Sequence, residues 1–421
     1  MKKIISILLC ITLIIVSLSA CGETPTQITK VNAKNLMGDI SPKAVTKSND
    51  LTDGNKAYYD FTVSLFKENQ VNGDNILISP LSVLCALSMT ANGANNNTLK
   101  EMEEVFGLSA SDMNKYLYSY INGLEQGEKF SLKLANSLWI TNDETFKVNN
   151  DFLQINADYH NPQMYSVDFN SEDTVKDMNN WVKKNTDGMI PSIIDESFPE
   201  HTLMCLMNAL AFEAEWANIY EDIQIHEGIF YARNGASQNI DFMYNEEYNY
   251  LHDNEATGFI KYYAGEKYAF VAVLPNEDIK LEDYINNLTG EKIAKLLENQ
   301  NHLKVKTKIP KFEYNYTADI TEMLQNMGIK TAFDADNADF SGIGTWDYGN
   351  LFVSKVLHKT YISVAEKGTK AGAVTAVLVN GNTAMPLKEL EVYLDRPFVY
   401  MIIDCENNIP FFIGTVTDVE G

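Results

Sequence analysis

The segment from Glu366 to Leu387, EKGTKAGAVTAVLVNGNTAMPL, sets the tightest condition on the fold. Its first half is rich in Gly, Ala and Thr, as a surface loop would be. Its middle, Val374-Thr375-Ala376-Val377-Leu378-Val379, has the β-branched content of a strand. Gly368 to Met385 contains no proline, so nothing there forbids a full ladder of hydrogen bonds. Because strand side chains alternate between faces, Thr369, Ala371, Ala373, Thr375, Val377 and Val379 fall together, all uncharged and small or β-branched. Lys370, Gly372, Val374, Ala376, Leu378 and Asn380 make the other face, which carries the only charge. The segment combines features of a loop with features of a strand. Taken alone, it reads equally well as an ordinary strand or a loop with chance alternation.

The rest of the chain has the length to provide such a sheet, because 421 residues can bury a large core. From about Leu51 to Glu420 there is no proline-rich linker, charge block or internal repeat. Ala57, Phe61 and Leu65 recur at helical spacing, and Asn72-Gly73-Asp74-Asn75 ends that run. Ser79 is placed to cap a second helix with Pro80 at its first position, and Thr98–Phe106 reads as a third. Strands are expected at 134–140, 203–212, 268–274, 303–309, 361–364, 398–403 and 411–416, with helices at 174–185 and 320–327 among them. The early third is helix-rich and the late third strand-rich, which argues for a mixed α+β domain.

The N-terminus reads as an export signal. Lys2 and Lys3 precede an apolar run from Ile4 to Val16, and Leu18-Ser19-Ala20-Cys21 follows. That run is short for a stable membrane span. Leu-Ser-Ala-Cys resembles the bacterial lipobox, which would put a lipid on Cys21; otherwise this is an ordinary signal with an incidental cysteine. We therefore expect a signal peptide over 1–20, a lipidated N-terminus and polar tether over 21–50, and one domain over 51–421. Cys85, Cys205 and Cys405 have apolar neighbours and no metal-type Cys-x-x-Cys spacing, so neither a disulfide nor a metal site is expected.

Several function classes are disfavoured. A net charge of −24 opposes nucleic-acid binding, which needs clustered Lys and Arg. Six histidines form no His-Glu-x-x-His helix, and neither a Gly-x-Ser-x-Gly elbow nor a phosphate-binding glycine loop is present. Asp334 to Asp339 lacks the glycine and glutamate of a calcium loop and reads as a solvated acidic turn. No cofactor and no catalytic constellation is expected.

Several strings, in order, resemble the serpin family. They are Asn75 to Ser82 with its Ser79-Pro80-Leu81-Ser82, then Met89 to Ala94, and Asn180-Trp181-Val182 with Thr186 to Pro191. Asn208-Ala209 with Phe212 and Trp216 follows, then Asp339 to Ile343, Ser354 to Lys359 and Glu366-Lys367-Gly368-Thr369. Arg396-Pro397-Phe398 and Phe412-Ile413-Gly414 close the chain. The resemblance implies the serpin fold, three β-sheets with eight to nine surrounding helices and an exposed reactive loop. It implies a suicide inhibitor, not an enzyme: a serine or cysteine protease attacks the loop, which then inserts into the central sheet and traps the acyl-enzyme.

Residue by residue, the resemblance makes Glu366, Gly368, Thr369, Lys370, Ala371, Gly372 and Ala373 the hinge. Lys370 and Gly372 stand where the family usually has Glu and Ala; both fall on the face expected to point outward. It places Ser79, Ser82, Asn208 and His358 in a polar cluster where strands part, and Trp216 where the loop first enters. For these the plain alternatives are a helix cap, a turn serine, a satisfied core histidine and a core tryptophan. Glu213 and Glu215 replace lysines often found beside that tryptophan, so the family's ion pairs are not carried over. Counting forward from Glu366 puts the reactive bond at Asn382–Thr383; counting back from Arg396 lands nearer 385–387, with Ala384–Met385 as the fallback. The stretch corresponding to a heparin-binding helix, roughly 109–129, carries only Lys115 and Lys129 against several acids, so no polyanion partner is expected. The expectation is a monomer on the outer face of a bacterial membrane or secreted. The alternatives are the same fold in a non-inhibitory binding or chaperone role, and a solute-binding lipoprotein.

Overall fold

Strand Met204–Glu215 organises the molecule, because its two faces feed two separate apolar layers. Cys205, Met207 and Ala209 pack with Trp139, Met178, Trp181 and Val182 beneath the helix Glu172–Asn185. Leu206, Leu210 and Phe212 point the other way, into the main core. The alternation of side chains along a strand thus gives one sheet a helix on its outer face and the bulk of the protein on its inner face. The computed structural model describes residues 30–369 and 390–420.

Among the described residues the central sheet has seven strands, in the order Lys34–Asn35, Gln163–Val167, Phe130–Thr141, Met204–Glu215, Gly368–Thr369, Lys355–Ala365 and Phe312–Asp319. A six-stranded sheet lies behind it. There Tyr268–Pro275 is buried at every position, with Phe398–Asp404 on one side and Ala256–Tyr262 on the other. Such a run, apolar without alternation, marks a strand covered on both faces. A third sheet joins Leu390–Tyr393, Val305–Pro310, Ser237–Glu247 and Ile225–Tyr231. Nine α-helices surround these sheets among the described residues. Helix Pro80–Ala91 is buried along its whole length, so its apolar residues are not confined to one stripe.

The tether expectation needs correction from Lys30 onward. Asn32 and Ala33 donate backbone N–H groups to the Asp177 carboxylate at 3.0 and 2.6 Å. Lys34–Asn35 then pairs antiparallel with Tyr165–Ser166, and Leu36, Met37 and Ile40 pack against the core. Further on, Lys43 N–H reaches Asp158 at 2.7 Å and Ser48 N–H reaches Ser119 Oγ at 2.8 Å. The physical reason is the unpaired edge of strand 163–167, which any short extended segment can cover. Averaging composition over Gly22–Asp50 conceals the few apolar residues that dock. The strand expected from Leu303 begins at Val305, since Leu303 is 49% exposed.

Candidate functional site

On the inner face of the central sheet, strands 204–215 and 355–365 run parallel and pair directly from Lys355–Cys205 to Thr360–Leu210. Asn208 and His358 are partners in that register and face the same side as Leu206 and Val356. Ser79 and Ser82 arrive from the start of helix 80–91, where Ser79 caps the helix by accepting from Ser82 N–H at 3.2 Å. Ser79 N–H donates to His358 Nε2 at 3.1 Å, so that nitrogen is the acceptor. The other, Nδ1, then carries the proton and donates to Asn208 Oδ1, which also accepts from Ser82 Oγ at 3.0 Å. Burial lowers the His358 pKa to about 3, which keeps the ring neutral and suits this tautomer. The structure therefore brings all four residues into one network linking helix 80–91 to two strands of the sheet.

Above Thr360–Leu210 the strands part, and the hinge enters between them. Gly368 pairs with Glu215 on one side and Ala365 on the other; Thr369 pairs with Ala214 and Val364. Gly368 has φ +150°, and an added Cβ would stand 2.0 Å from the Ala214 carbonyl oxygen, so only glycine fits. Thr369 is 2% exposed, and its hydroxyl lies 2.6 Å from the Tyr263 hydroxyl. Its side chain points inward, toward the main core.

Trp216 closes the top of the gap. Its N–H donates to Lys367 O at 2.9 Å and its indole to Ala365 O at 2.8 Å, while its ring stacks on Tyr263 with centroids 4.5 Å apart. Tyr220 N–H donates to Glu366 O at 2.9 Å. Glu366 is held below the usual carboxylate range by its own backbone N–H, against the opposing effect of burial, with Lys311 3.3 Å away. Glu215, one of the acidic replacements, pairs with Lys129 at 3.1 Å on a half-exposed surface. The remaining hinge residues Lys370 to Ala373, the bond candidates Asn382 to Met385, and Cys21 lie outside the described residues.

Sequence reading did not single out Tyr263, although it contacts both Trp216 and Thr369. The only signal was an aromatic pair, Tyr262-Tyr263, closing an apolar run. Cys85, Cys205 and Cys405 are free thiols, and burial raises all three pKa values. No group of His, Cys, Asp and Glu suited to a metal occurs among the described residues.

In the central sheet two parallel strands pair directly over six residues and then diverge around the rung of Gly368 and Thr369. The family model described as Serpin (serine protease inhibitor) matches residues 56–419. An uncharacterised serpin-like protein of Thermococcus kodakarensis is 30% identical, over 96% of this chain and 97% of its own. Intracellular coagulation inhibitor 2 of Tachypleus tridentatus is also 30% identical, over 86% of this chain and 90% of its own. Among solved structures, the thermophilic serpin tengpin in its native state superposes with TM-score 0.88 at 44% identity, covering 92% of this chain and 99% of that one. Its latent state gives 0.77 at 46% identity, covering 88% and 99%. The chain belongs to the serpin family, whose members are in general protease inhibitors rather than enzymes.

Proposed function

We propose that this protein traps a serine or cysteine protease by inserting its cleaved reactive loop into the central sheet. One observation carries the reading: the rung formed by Gly368 and Thr369 already lies between strands 204–215 and 355–365. A strand growing from that rung would run antiparallel to both neighbours and gain hydrogen bonds on both sides. It would have to separate the direct 205–210 pairing with 355–360, which the Ser79–His358–Asn208–Ser82 network holds together. Breaking that network costs energy, whereas completing the sheet after cleavage returns more. The hinge faces agree with this, since Thr369 is buried and the other inward positions are uncharged and small or β-branched.

The reactive bond is assigned to Asn382–Thr383, with Ala384–Met385 second. A lipid on Cys21 and residence on the outer face of a bacterial membrane, as a monomer, complete the proposal and rest on the N-terminal sequence. Incubation with a panel of serine and cysteine proteases, followed by denaturing gels, tests inhibition. A covalent band near the summed masses is expected. Cleavage without such a band across the panel returns the non-inhibitory reading. Mass spectrometry of the released C-terminal peptide should find a new N-terminus at Thr383, and one at neither Thr383 nor Met385 rejects both bond assignments.

A further inference from the structure

A buried ammonium group lies behind the hinge. Lys261 stands two residues before Tyr263, in the strand Ala256–Tyr262, and so faces the same side. A lysine in such a strand ordinarily extends its amine to water, but this side chain is 2% exposed. Its Nζ lies 2.8 Å from Glu247 Oε1, whose side chain is itself 12% exposed, and donates to Asn218 O at 3.3 Å. It also sits over two aromatic faces, 4.4 Å from the Tyr220 ring centre and 5.2 Å from that of Trp216.

Apart from Glu247, every one of these partners belongs to the short segment Trp216 to Tyr220. That same segment holds the turn leading into the loop. Three consecutive carbonyls, those of Ala365, Glu366 and Lys367, accept from the Trp216 indole, the Tyr220 N–H and the Trp216 N–H. A neutral chain of equal length would fill the space but would lose the attraction to both rings and the bond to Asn218.

We propose that Lys261, fixed by Glu247, is a positioning residue for loop insertion. It sets the Trp216–Tyr220 segment so that Gly368 and Thr369 are seated in the sheet before any cleavage. The inserting strand then grows from a formed rung and need not find its register first. This rests on the inhibitory reading for its kinetic consequence, but not for its structural one.

The test uses the full mature protein with Lys261→Met, and with Lys261→Met combined with Glu247→Gln. The double variant removes the stranded carboxylate that would otherwise depress stability by itself. Amide exchange of Trp216 and Tyr220 in the uncleaved protein, well below the melting temperature, is expected to speed up by roughly tenfold in both variants, the scale of a desolvated cation–π contact. Trp216 emission should change alongside. With a protease that the wild type traps, both variants should need more inhibitor per enzyme inactivated, because insertion falls behind deacylation. If the double variant exchanges and partitions like wild type, the ammonium group has no positioning role and the proposal fails. A lowered melting temperature with unchanged exchange and stoichiometry also overturns it, since that is a packing effect only. Should the wild type trap no protease, the inhibitory reading fails, and the exchange rates still decide the role of Lys261.

Discussion

Replacing Thr369 by Arg probes whether the hinge must be buried. Thr369 is 2% exposed, lies between Ala214 and Val364, and shares a 2.6 Å hydroxyl contact with Tyr263. Arginine there would strand the Tyr263 hydroxyl, at about 1–3 kcal/mol, and would take a guanidinium group out of water without a partner, at several kcal/mol more. A total of about 4 kcal/mol is a conservative sum of these two contributions. The intact protein can avoid most of it if the rung swings out into solvent. After cleavage, the proposed insertion leaves no escape, since every later residue of the strand would have to follow Thr369 into the sheet. If half of the cost is felt at the barrier, insertion slows by about 30-fold, at 1.36 kcal/mol per tenfold. Deacylation is unaffected, so the variant should be cut as a substrate. The assay is a titration of residual protease activity against inhibitor, with denaturing gels. Thr369→Val, which keeps the shape, should still trap. A denaturant-stable complex at unchanged stoichiometry from Thr369→Arg would refute the inward assignment of this face.

Gly368→Ala should act like a weaker form of that variant, because its Cβ meets the Ala214 carbonyl; proteolytic partitioning measures it, and an unchanged partition contradicts the close approach. Burial holds both His358 and His160 at about 3, far below the ordinary histidine value near 6.5. Their contribution is therefore intact above pH 6.5 and declines as pH falls from there toward 3, by about 2 kcal/mol per histidine at pH 5. Denaturant midpoints at pH 7.5 and 5 should fall less for His358→Asn than for wild type; parallel falls would mean that the ring is not held neutral. Asp177→Ala should free the N-terminal segment, seen as loss of amide protection at Asn32 and Ala33, and retained protection would place the anchor elsewhere. Nicking the loop should raise the melting temperature well above that of the intact chain, and an unchanged value removes the basis for insertion.

Much of this architecture is legible in the sequence where burial is complete. Tyr268–Pro275 and Phe398–Asp404 are apolar runs that can hardly be anything but covered strands. Ser79-Pro80 announces a helix start through cap chemistry alone. By contrast, Ser237–Glu247 and Phe312–Asp319 carry polar residues on a solvated face and do not stand out as apolar runs. Lys34–Asn35 is a strand only because an open edge receives it, which no local pattern encodes. In the site, the resemblance points to Asn208 and His358, but their partnership depends on the parallel register of strands whose paired residues, such as Thr360 and Leu210, lie 150 positions apart in the chain. Lys261 escapes notice for a different reason. A lysine in a strand reads as a solvent-facing residue, and only the arrival of Glu247, Tyr220 and Trp216 from elsewhere makes burial tolerable.

Under the proposed lipid anchor, the docking of residues 32–35 at the rim of the central sheet would also limit how far the body can roam. With a lipid on Cys21, a tether reaching to Asp50 would allow an excursion of about 100 Å at full stretch. Berthing at Lys30 would cut that limit to the contour length of residues 21–29, about 30 Å. The bait loop would then patrol a thin shell against the membrane, meeting enzymes that work at the cell surface before those diffusing past.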